Sequence, residues 1–163
     1  MRKLALILLL FSCSALCAED VHDISEKLNF LKGFHDFGWL EKREIVVDKL
    51  LNDGYVIEQS KDSVAFTGEH LGYSCVFLFE FSLDNFIKAY VIIDSDENRY
   101  REIVIKVSEQ YGHPANIRDD GRLRTWTIPY GNIDGMITAL LNEKSTVMLY
   151  NLHFKLEEEA SEE

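Results

Sequence analysis

Residues 73–81 read Tyr-Ser-Cys-Val-Phe-Leu-Phe-Glu-Phe, and their alternation decides the class of fold. Tyr73, Cys75, Phe77, Phe79 and Phe81 fall on every second position, the period of a β-strand that turns one face to a core. Cys75 sits within that apolar row, so it reads as an inert buried thiol and not as a nucleophile. The opposite face still offers Val76 and Leu78, although a sheet with helices on one side alone should be polar there.

Working outward, Phe86–Ile93 reads as a partner strand across Ser82-Leu83-Asp84-Asn85. Upstream, Tyr55–Gln59 and Val64–Thr67 flank the polar turn Ser60-Lys61-Asp62-Ser63 as a hairpin. A helix is expected over Trp39–Asp53, with Leu40, Val46, Val47, Leu50 and Leu51 on its apolar side. Gly54 ends it, free to take the left-handed cap conformation. Residues 19–38, rich in Phe30, Phe34 and Phe37, read as an irregular or partly helical lead-in. Downstream, Tyr100, Ile103, Val104, Val107 and Tyr111 make a second helical stripe. Asp94 with Glu97 is the expected capping box variant at its start, and Gly112 and Pro114 stop it. Strands follow at Leu123–Ile128, Ile133–Leu141 and Ser145–Phe154.

An offset of 58 residues lays Arg43-Glu44-Ile45-Val46 on Arg101-Glu102-Ile103-Val104, and Gly54 on Gly112. The element order repeats as well, which suggests an internal duplication. The expected fold is α+β: an antiparallel sheet with two helices packed on one face, built from two α-β-β-β pseudo-repeats. They occupy 39–94 and 97–154 of a single domain at 39–156.

The ends carry an address. Arg2 and Lys3 precede the apolar run Leu4–Phe11, and small residues lead to Ala18. That run is far shorter than the ~20 residues of a membrane-spanning helix, so residues 1–18 read as a secretory signal peptide. Leu10-Phe11-Ser12-Cys13 offers an alternative, a relaxed lipobox in which Cys13 would be lipidated and anchor the domain to a membrane. With the signal removed, Cys75 is the single cysteine, and no Asn-x-Ser/Thr sequon exists. A bacterial envelope protein, periplasmic or secreted, fits that usage.

Losing Arg2 and Lys3 moves the formal charge from −11 to −13. Five of those units lie in the tail at 157–163, which reads as a solvated acidic end and leaves −8 on the body. Clustered Lys and Arg are what nucleic acid requires, so that partner is excluded, as is direct adsorption to an anionic bilayer.

Tyr111-Gly112-His113-Pro114, then Trp126, Ile133 and Val147-Met148-Leu149-Tyr150, resemble a pattern of small exported bacterial proteins. Over residues 39–154 the tandem helix-plus-three-strand plan is similar at fold level to the β-lactamase inhibitor proteins, and more loosely to small outer-membrane assembly lipoproteins. The resemblance rests on packing positions and turns. It implies an architecture and a non-enzymatic protein-binding role, and no site residue transfers with it.

Chemistry is sparse. His22, His35, His70, His113 and His153 have no spacing of a metal pair, and Cys-x-x-Cys is absent. Asp94-Ser95-Asp96-Glu97-Asn98 begins like a calcium loop. Arg99 stands where glycine is required and Ile105 where a bidentate Glu is required, so it is not one. Gly-x-Ser-x-Gly and Gly-rich phosphate loops are missing too. No catalytic, cofactor-binding or metal residue is assigned, and no cofactor is expected. Trp126 with Arg124 and Tyr130, together with Val76 and Leu78, are the candidate interface residues, because aromatic and Arg side chains dominate interface energetics. The expected function is a protein-binding module (inhibitor, adaptor or assembly factor) with a basic envelope or extracellular partner, or with a second copy. The alternative is a carrier for a small apolar or lipid ligand in a pocket between helices and sheet.

Overall fold

The computed structural model describes residue 27 and residues 29–155. The expected signal peptide, Cys13 and the acidic tail lie outside these residues. The chain is α+β, built on an eight-stranded antiparallel sheet and a small two-stranded one.

Residues 29–32 are helical (α1) and lead into the hairpin β1 (Gly33–Phe34) and β2 (Phe37–Gly38). Helix α2 (Arg43–Asn52) precedes four strands: β3 (Ile57–Gln59), β4 (Ser63–His70), β5 (Tyr73–Ser82) and β6 (Asn85–Asp94). Helix α3 (Glu97–Tyr111) precedes β7 (Asn116–Arg118), β8 (Leu123–Tyr130), β9 (Ile133–Leu141) and β10 (Ser145–Phe154). The strand order is β3-β4-β5-β6-β10-β9-β8-β7, so the two meanders meet through their last strands.

Several expectations need correcting. Helix α2 starts at Arg43 and not at Trp39, because Trp39 is drawn to the sheet. Its ring stacks on Phe86 at 5.0 Å and its Nε1 donates to the Phe30 carbonyl at 2.8 Å. Leu40 then takes a left-handed φ of 68°. The cap of α3 is Asp96, not Asp94: its carboxylate accepts from Arg99 N at 2.9 Å. The first helix is followed by the four strands read from the sequence, and the second by four and not three, β7 being the addition, so neither half is α-β-β-β. Nor does the domain begin at residue 39, since Phe30, Phe34 and Phe37 are buried in the same core as the sheet.

The register separates the faces of the sheet. One row runs Val64–Phe79–Ala89–Tyr150–Ile137–Trp126 across six strands, all buried. Above it lie Val46 and Leu50 of α2 and Tyr100, Ile103, Val104 and Val107 of α3. Each such apolar side chain contributes about 1.5–3 kcal/mol through burial. The reverse face carries the rows Ala65–Leu78–Tyr90–Leu149–Thr138–Thr125 and Thr67–Val76–Ile92–Val147–Leu140–Leu123.

No helix among the described residues is long and apolar enough to cross a membrane.

Candidate functional site

The residues singled out as an interface are divided between the two faces. Trp126 is 1% exposed, and its Nε1 donates to the Gly112 carbonyl at 3.0 Å. It is therefore a core residue that ties β8 to the end of α3, and the interface reading of this side chain is corrected. Arg124 shares its face, half-buried, with Nε donating to the Gly121 carbonyl at 3.3 Å. Tyr130 lies further along the same strand and is 60% exposed. Val76, 41% exposed, and Leu78 lie on the reverse face, beside Tyr90, Ile92, Val147 and Leu149. Among the described residues no helix or hairpin covers that apolar patch.

A second feature joins residues that the sequence keeps apart. His70 ends β4 on the helix side, and its Nε2 lies 2.7 Å from Tyr150 Oη on β10. The tip of the β1–β2 hairpin arrives over this pair. Phe34 packs 4.4 Å from Tyr150 and 5.6 Å from His70, ring to ring, and the His35 ring sits 6.2 Å from that of His70. With Asn29, Leu71, Gln110 and Tyr111 they line an open cleft of about 420 Å³. His35 holds a φ of 54°, a left-handed conformation that a β-carbon makes costly.

Loss of water contact disfavours the charged form of the groups here, most strongly for His70 and Tyr150. Desolvation, helped by nearby His35, lowers the His70 pKa to about 4. His35 is lowered by burial, against the opposing effects of Asp36 and a hydrogen bond to the Glu69 backbone. Tyr150 is pushed well above its ordinary value by burial, with Tyr111 and Cys75 adding to it. The Cys75 thiol is pushed up to about 11, by burial first and Glu69 second. A weakly basic imidazole, an un-ionised phenol and an un-ionised thiol can bind, but they do not make an activated nucleophile.

A larger cleft of about 580 Å³ lies at the start of α3, with Arg101, Arg122 and Arg124 interleaved with Asp96, Glu97, Asp120 and Glu143. Its charges offset one another, and it selects no ligand of one sign.

The sequence pattern leaves His35 in an irregular or partly helical lead-in and His70 outside any strand. No local signal could have paired residues 80 positions apart. Comparison with known protein families, with curated proteins and with solved structures finds no match.

Proposed function

We propose that the chain is an exported, non-enzymatic protein-binding module of the bacterial envelope, and that its partner docks on the reverse face of the sheet. The supporting observation is the pair of apolar rows centred on Val76–Ile92–Val147 and Leu78–Tyr90–Leu149, with no helix above them. Contiguous apolar surface of this kind marks an interaction site.

The rim indicates which partner. Glu58, Glu69, Glu80 and Asp94 share this face, against Lys88 and Arg118, and Lys88 is already paired with Glu80 at 3.5 Å. An apolar patch edged by acids fits a partner whose own apolar patch is edged by Lys and Arg, drawn in by long-range attraction. A second copy would set acidic rim against acidic rim. The order helix then four strands, twice, supports reading the two halves as an ancient duplication.

The carrier alternative has less behind it. The rings of Phe30, Phe34 and Tyr150 beside the smaller cleft are buried against one another, which leaves little apolar wall for a lipid.

The test is affinity capture from detergent-solubilised envelope with the wild-type protein, with Leu149→Lys on the open face, and with Ile105→Lys on the exposed side of α3. The expected result is one basic protein, lost with Leu149→Lys, retained with Ile105→Lys and released by salt. Capture indifferent to Leu149→Lys, or no capture at all, overturns the proposal. Association of the purified chain with itself, abolished by Leu149→Lys, would replace the basic partner by a second copy.

A further inference from the structure

His35 and His70 come from different sheets, yet their ring centroids lie 6.2 Å apart at one cleft. The His70 ring is held through Nε2, 2.7 Å from Tyr150 Oη, while the His35 ring packs against it and the Phe34 ring. Met148 Sδ, 3.8 Å from the same hydroxyl, gives the tyrosine proton another acceptor. The hydroxyl can therefore receive a proton from Nε2, which leaves Nδ1 of His70 with its lone pair. An imidazole fixed at one nitrogen by a carbonyl or hydroxyl presents the other to a ligand, the usual arrangement of metal-binding histidines.

We propose that His35 and His70 form a binding site for a borderline divalent cation such as Zn²⁺, Ni²⁺ or Cu²⁺. Metal–nitrogen bonds of about 2.0–2.1 Å put the centroids of two imidazoles on one ion roughly 5–6 Å apart. His35, exposed at a hairpin tip, closes that difference by turning its side chain. Asp36, next in the chain, adds a carboxylate at the same hairpin tip. Groups of three or more His, Cys, Asp or Glu placed to hold a metal are absent among the described residues. The site thus supplies two ligands, leaves the remaining positions to water and exchanges its ion readily.

The experiment is calorimetric titration of the metal-free protein with Zn²⁺, Ni²⁺ and Cu²⁺ at pH 7, alongside His35→Asn and His153→Ala. Asn tolerates the left-handed conformation of residue 35, so that variant keeps the hairpin. One ion per chain is expected, with affinity reduced at least tenfold in His35→Asn and unchanged in His153→Ala. Cu²⁺ should broaden the imidazole resonances of His35 and His70 before those of His113. Equal binding by wild type and His35→Asn, or no binding by the wild type, overturns the site.

Discussion

His70 Nε2 and Tyr150 Oη lie 2.7 Å apart although β5 and β6 separate their strands. Tyr150 registers with Val64, six residues from His70, so in a flat sheet the two would stand roughly 14 Å apart across the strands and about 20 Å apart along them. The bond requires the sheet to curl toward its helices, and Phe34 roofs the clasp. Tyr150→Phe keeps the ring and removes the hydroxyl, leaving a largely buried imidazole short of its partner. The expected loss is about 1–3 kcal/mol, read as a lower urea midpoint with an unchanged slope. A midpoint equal to wild type would show that the clasp does not hold the curl.

The same imidazole makes stability depend on pH. The His70 pKa is about 4 in the folded protein against 6.5 for a free side chain. The unfolded chain therefore binds the proton first, so stability is complete above pH 6.5 and declines as the pH falls toward 4. His35 and Tyr150 face the ring and supply no compensating anion, while Asp36 and Glu69 act mainly on their own neighbours, His35 and Cys75. In buffer containing EDTA, the melting temperature should fall across that window. The slope should shrink in His70→Gln. An unaltered slope in the variant would assign the acid sensitivity to other groups.

Trp126→Ala tests packing and not binding. The indole fills the core between β8 and α3, and its removal leaves a cavity and an unpaired Gly112 carbonyl. The expected loss is about 3–5 kcal/mol, a large part of the 5–15 kcal/mol typical of a domain. Chemical denaturation measures it, and a near-neutral effect would contradict the core assignment.

Strands with a buried face were legible because their side chains alternate, as in β5. Where the alternation lapses, the sequence is silent. In β4 the core row reads Phe66, Gly68, His70, and the glycine is required because a Cβ there would meet the Phe77 ring at 2.9 Å. The row loses its apolar period at that residue, which hid both the end of the strand and His70. Strand β7 is exposed at all three positions and shows no face at all. The lead-in escaped because Phe30, Phe34 and Phe37 enter the core from a helix and two short strands, with no shared period.

Cys75 should be chemically quiet in the folded protein. Its thiol is buried, near the Gly68 carbonyl at 3.6 Å, and needs about pH 11 to ionise. Reaction requires the thiolate, so labelling by iodoacetamide at pH 8 should be at least tenfold slower than in urea. Equal rates would mean that the β4–β5 pairing opens readily.

Gly135→Ala should displace the lead-in while leaving the sheet intact. The glycine faces the helix side of β9, and a methyl there would overlap the Phe30 ring, which cannot bend away as a flexible chain would. Phe30 is wedged among Trp39, Tyr111 and Tyr150, with ring centroids at 5.9, 6.0 and 6.0 Å. Moving it also strains the bond from Trp39 Nε1 to its carbonyl. Overpacking of this kind costs about 1–3 kcal/mol. Because the strain falls on α1 and not on the strand ladder, the first effect should be local. Limited proteolysis should cut near residue 32 faster than in wild type, and tryptophan emission should shift to the red as Trp39 gains water, alongside a lower urea midpoint. A drop in the midpoint with no change in either local signal would mean that the lead-in stays docked and that the strain is carried by β9 instead.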